Sequence, residues 1–213
     1  MASILDIIAS TIFGGLLVVM TLTAIDSGVT QFFNYNSDAI VQSQLAETAN
    51  IIQYDLRKVG FGIPESQQDS VLAMALPNNL KYISHLNFFS DQIIDTVEYI
   101  IQVYDTLDIP DTLIVMYDVI RIVKISGAAI DSGSVGRIGN DSIFIYLDQI
   151  GNPASIIMEI KMVEVTIIAF TPDLVLSQEF LKLSGLERKE ELERLMRESY
   201  WRQTRVLSRN LKR

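Results

Sequence analysis

Few residues in this sequence are placed to do chemistry, and the most conspicuous is Asp6. It stands at the outer end of an apolar run, Ser3 to Gly28, with no lysine or arginine before it and no other charge until Asp26. A carboxylate in hydrocarbon is costly unless it is paired or lies near the interface. The other candidates are sparse. His85 is the single histidine, too little for a histidine metal site or a general base, and it reads as a strand or loop residue. The absence of cysteine excludes disulfides, thiol catalysis, zinc ribbons and iron–sulfur clusters. Asp91 and Asp95 are the only candidate metal pair, and calcium takes about six to eight oxygens, so they read as solvated turn residues. No nucleophile–base–acid constellation and no glycine-rich phosphate loop occurs. The expectation is no catalytic residue, no metal and no cofactor, and so not an enzyme.

The elements that must position Asp6 follow from composition. Every residue from Ile7 to Ile25 is uncharged and most are apolar, which meets the roughly 20 residues a bilayer-spanning helix needs. A cleaved secretory signal would have a basic start and a shorter core. No proline occurs from Val29 to Val59, and Leu45, Ala49, Ile52, Leu56 and Val59 recur at the helical period. Gln42, Gln44, Glu47, Asn50 and Asp55 fall between them and suit a wet face. Gly60, Gly62 and Pro64 supply a stop signal, so the first sixty residues read as one helix, weakened at Gly14, Gly15 and Gly28. The first basic residues are Arg57 and Lys58. Nothing before them holds the following segment in the cytoplasm, and the remainder is expected outside it.

Beyond Pro64 the period changes. "SHLNFFS", "DTVEYIIQVYD", "DTLIVMYDVIRIVKI", "DSIFIYLD" and "IIMEIKMVEVTIIAF" are rich in Ile, Val, Phe and Tyr. Turn clusters at Ile109-Pro110-Asp111, Ser132-Gly133-Ser134 and Gly151-Asn152-Pro153 separate them. Short strands with short connections predict an antiparallel sheet, on which the apolar stripe of the helix packs. The segment from about 186 to 197 reads as a charged, solvated helix, and "YWRQTRVLSRNLKR" as a final strand. The fold class is therefore α+β, divided as 1–28 (spanning helix), 29–63 (amphipathic continuation) and 64–213 (β-rich domain). A net charge of −9 argues against nucleic acid as the main partner. Any such contact would come from the basic stretch Arg197–Arg213.

A helix that is half membrane span and half amphipathic, followed by an antiparallel sheet, resembles type IV pilins and pseudopilins. Five stretches are similar to PilW-type minor pilins, in order: "YDLRKVGFGIP", "LNFFSDQIIDTVEYIIQ", "FIYLDQIGNPA", "IKMVEVTIIAF" and "TRVLSRNL". The resemblance implies a pilin-like fold with Arg57, Gly60 and Gly62 at the helix-to-sheet junction. It also implies a role for Asp6. Removal of Met1 puts it at the fifth position, where pilins carry an acidic residue that pairs with the N-terminal amine of a neighbouring subunit. The family's basic leader ending in Gly is absent, which implies either an already mature chain or insertion without peptidase cleavage. The glycine of the family's Asp-rich turn is also missing between Asp91 and Asp95.

The function so implied is a structural subunit of a pilus-like filament. Phe13, Gly14, Gly15 and Ala24 would pack against neighbouring helices, small residues permitting close approach. The expected partners are further copies or other pilins, the inner membrane before assembly and the pilus assembly machinery. The protein is expected first in the cytoplasmic membrane and then in a cell-surface filament. The alternatives are a minor or priming subunit that initiates or caps a filament, and a membrane-anchored β-domain that does not polymerise.

Overall fold

No proline precedes Pro64, and Ile4–Leu56 forms one α-helix of 53 residues, α1. The computed structural model describes residues 4–64, 67, 71–85, 94–109, 112–125, 128–169, 182–187, 190 and 200–207. The chain forms two compact units, Met1–Ile40 and Val41–Arg213. Gly14, Gly15 and Gly28 do not interrupt α1. It stops at Leu56, earlier than the expected Gly60, because the Asp55 carbonyl is diverted. That carbonyl accepts the Lys58 N–H at 2.9 Å and the Tyr82 hydroxyl at 3.0 Å. The tightened turn then passes through Gly60 (φ 70°) and Gly62 (φ 72°), both in the left-handed region that glycine tolerates. Gly62 has a second reason to lack a side chain, since a Cβ there would come within 2.7 Å of His85 Cβ.

The second unit is antiparallel throughout. A five-stranded sheet has the order β1 (Leu72–Leu76), β2 (Asn79–Ser84), β3 (Asp95–Ile109), β4 (Thr112–Ile125), β5 (Ala128–Ile138). A three-stranded sheet has the order β6 (Phe144–Leu147), β7 (Met162–Ala169), β8 (Tyr200–Leu207). Alternation decides what is buried. Val97, Tyr99 and Ile101 of β3 and Val163, Val165 and Ile167 of β7 turn to the core. There they join Leu45, Ala49, Ile52 and Leu56 of α1, the stripe that the helical period picked out. Tyr99 and Phe144 meet edge to face, with ring centroids 6.3 Å apart.

Several strand expectations need correction. Ser132-Gly133-Ser134 is not a turn but lies inside β5. It pairs with β4 across two register shifts, and such bulges accommodate residues of low strand propensity. The hairpin of β1 and β2 carries no strong pattern and was not anticipated. "IIMEI" begins not as a strand but with a 3₁₀ turn at Ile157–Glu159, and β7 starts only at Met162. Of "SHLNFFS", Ser84 closes β2 and residues 86–90 lie outside the described residues. Most of the charged segment 186–197 also lies outside them. Residues 185–187 are helical, and Ser184 donates both its backbone N–H and its hydroxyl to the Glu187 carboxylate. The turn at Gly151 (φ 95°) is where it was expected. The Asp148 carboxylate accepts the N–H groups of Asn152 and Ile150, each at 2.8 Å. Those bonds, Asn152's first, hold its carboxyl below the usual range.

Among the described glycines, Gly136 has the least room for a side chain. A Cβ there would lie 2.0 Å from Thr48 Oγ1, whose hydroxyl donates to the Val135 carbonyl at 3.2 Å. Gly136→Ala should therefore lower stability by about 1–3 kcal/mol through overpacking. Adding Thr48→Ala should return most of the loss. Urea unfolding of the full chain in detergent checks both, and an undiminished Gly136→Ala midpoint would contradict the contact.

Candidate functional site: the apolar helix and its polar base

The first unit is helical from Ile4 to Ile40, and its large apolar side chains are exposed, from Ile4 through Phe32 and Phe33. Asp6 lies in the first turn and is exposed. Phe13 is 68% exposed, and Ala24 is exposed too. No atom comes within 4 Å of where Gly14 or Gly15 would carry a Cβ. The nineteen residues Ile7 to Ile25, at 1.5 Å each, span about 28 Å, close to the thickness of a bilayer's hydrocarbon. Four threonines along α1 bond its own backbone. Thr11, Thr21 and Thr23 each donate to the carbonyl four residues back at 2.8 Å, and Thr30 does so at 2.9 Å. The helix is long and apolar enough to cross a membrane and could anchor the chain in one.

The junction residues anticipated from sequence divide. Gly60 and Gly62 shape the turn after α1, as described above. Arg57 is exposed, and among the described residues its side chain makes no ion pair. The arginine that holds the helix base is Arg121. Its Nε donates to Asp55 Oδ2 at 2.5 Å, and the Tyr99 hydroxyl donates to the same oxygen at 2.6 Å. Arg121 also reaches Asp131 at 3.4 Å. Asp55, expected on a wet face, is only 3% exposed. The correction has a geometric cause. Asp55 follows Thr48 by seven residues, two helical turns, and both flank the buried stripe on the side that meets the sheet. Asp91 lies outside the described residues, Asp95 is buried at the start of β3, and the described residues hold no cluster of metal ligands.

The electrostatics are self-consistent. Burial first, and then the Asp55 carboxylate, push the Tyr99 and Tyr82 phenols above their ordinary range, so both stay protonated as donors. Burial alone would pull Arg121 down. The hydrogen bond and charge of Asp55 outweigh it and raise the guanidinium instead. Desolvating a carboxylate costs several kcal/mol, which charge-assisted hydrogen bonds of good geometry offset. No sequence pattern links these residues, because Tyr99 and Arg121 lie 44 and 66 positions from Asp55.

Compared with protein-family models, with curated proteins and with solved structures, the chain matches none. What fold and site define is an α+β protein whose long apolar N-terminal helix continues into the core of an antiparallel domain.

Asp55→Ala should lower the unfolding free energy by about 3 kcal/mol, since it strands the Tyr99 hydroxyl and the Arg121 guanidinium. The double variant Asp55→Ala, Arg121→Ala should lose less than the sum of the single losses. Denaturant titration of the four chains in one detergent measures that coupling, and strict additivity would show that the pair is energetically independent.

Proposed function

We propose that this chain is a structural subunit of a type IV pilus-like filament, held in the cytoplasmic membrane by α1 until assembly and polymerising through it. One observation carries the reading. A single helix has two kinds of surface: residues 4–40 leave their apolar side chains uncovered, whereas the stripe at Leu45, Ala49, Ile52 and Leu56 is buried in a β-domain. A lipid anchor alone needs only about 20 apolar residues, and this helix continues without a break to Leu56. Parallel helices of neighbouring copies would cover the apolar surface when lipid is left behind. Phe13 would act as a large contact, and Gly14, Gly15 and Ala24 would allow backbones to approach.

Asp6 has a defined part in this scheme. At the bilayer interface its charge is solvated. Inside a helical bundle the N-terminal amine of a neighbouring copy has the charge to pair with it. The resemblance to PilW-type chains favours a minor role, initiating or capping a filament whose body is another pilin.

Electron microscopy of material sheared from cells, solved to side-chain resolution, tests the proposal. A fibre whose core is built from α1 supports a major subunit, and the chain confined to a tip supports a minor one. Protein found only in membranes leaves an anchored β-domain and removes the filament. Asp6→Ala should leave membrane insertion unchanged while reducing incorporation into fibres at least about tenfold, the scale of one lost buried ion pair. Immunoblots of membrane and sheared fractions read that ratio, and normal incorporation would refute the pairing.

A further inference from the structure

The β3–β4 hairpin outgrows its sheet. β2 pairs only with Asp95–Ile100 of β3, and β5 only with Tyr117–Ile125 of β4. Strands β3 and β4 nevertheless stay paired out to Ile109 and Thr112. Residues 102–109 and 112–116 thus form a two-stranded ribbon with no third strand on either side in the named sheets. Ribbons of this kind are marginal alone, and their open edges are sites for pairing with other chains. At the root, a bulge falls at Tyr104, and the Arg137 guanidinium sits 3.9 Å from its ring centroid. Val103 and Leu113, 57% and 61% exposed, face solvent. The sequence from Gln102 to Ile120 carries Asp105, Asp108, Asp111 and Asp118 and no lysine or arginine.

A surface of opposite character lies on β8, the edge strand of the three-stranded sheet. Trp201 and Leu207, 65% and 56% exposed, alternate onto one face of that sheet with Gln203 and Arg205. Arg205 and Gln203 both bond the buried Glu164, which fixes this face. Arg202 is exposed on the other side of the strand, 3.4 Å from Asn50 Oδ1. From Tyr200 to Arg213 the sequence has five basic residues and no acidic one. Among the described residues no hydrogen bond or ion pair joins the ribbon to β8 of its own chain.

We infer that the acidic ribbon of one copy docks on β8 of another. Charge complementarity selects the partner, since the ribbon sequence carries aspartates and no cation, whereas β8 carries Arg202 beside the Arg205–Glu164 pair and leads into a sequence with further basic residues. Val103 and Leu113 meet Trp201 and Leu207 at the centre of the contact, the usual arrangement of apolar anchors within a charged rim. A contact between two different surfaces of one chain is heterologous, and repeated it gives a ring where the rotation closes and an open helical array where it does not. The inference rests on the filament reading and adds to it a lateral contact between β-domains.

The chain contains no cysteine, so introduced thiols report the contact directly. Full-length Thr106→Cys and Gln203→Cys chains are produced together in cells, and membranes and sheared fibres are oxidised separately. The expected product is a disulfide-linked dimer of the two variants that neither gives alone. Asp105→Arg with Asp108→Arg should reduce this dimer about tenfold, and Arg202→Glu in the partner chain should restore it. Fibres that contain the chain but yield no such dimer overturn the docking and leave the filament reading intact. A dimer in membranes from cells that make no fibre supports the docking and removes the filament. Absence of the dimer in every preparation overturns the docking, as does an unchanged yield after the charge reversals.

Discussion

A single buried carboxylate fixes most of the β-domain's geometry. Asp55 accepts from Tyr99 on β3 and Arg121 on β4, and these two residues stand directly opposite each other in the strand register. A slip of one residue between the strands would turn one of them to the other face and leave a desolvated charge half-satisfied. The same residue's carbonyl takes the Tyr82 hydroxyl from β2. One position therefore ties three adjacent strands to the helix. It also ends the helix, because a carbonyl engaged by Tyr82 and Lys58 does not continue the regular ladder. Apolar packing supplies the bulk of the stability here. Alternation of apolar residues sets which faces are buried, and the directional polar contacts add to the selection of register.

The helix meets two different demands along its length. Near its C-terminal end it offers the sheets a narrow stripe whose polar borders, Thr48 and Asp55, are matched to particular partners. Near its N-terminal end it offers an apolar surface on all sides, which is what lipid or parallel neighbours accept. The match at Thr48 is steric as well as polar, since Gly136 leaves room for it.

What could be read from the sequence divides along the same line. The long helix, its uncharged stretch from Ile7 to Ile25 and its buried stripe are local properties of consecutive residues, and so were legible. So were the longest strands and the turn at Gly151, where alternation and turn chemistry agree. The strand through Ser132-Gly133-Ser134 was not, because its residues have turn character and only the pairing offered by β4 makes them a strand. Asp55 looked solvated because its hydrophobic neighbours Ile52 and Leu56 lie a little around the helix from it. Its burial is decided by tyrosines and an arginine distant in sequence. Asp6, Phe13, Gly14, Gly15 and Ala24 were legible as positions on an exposed helix.

The threonines of α1 carry a consequence of their own. Thr11, Thr21, Thr23 and Thr30 donate hydrogen bonds to carbonyls of the preceding turn, so these hydroxyls need no acceptor from either lipid or protein. A segment built this way exchanges surroundings without breaking those bonds, and its preference is decided by how well side chains fit side chains compared with acyl chains.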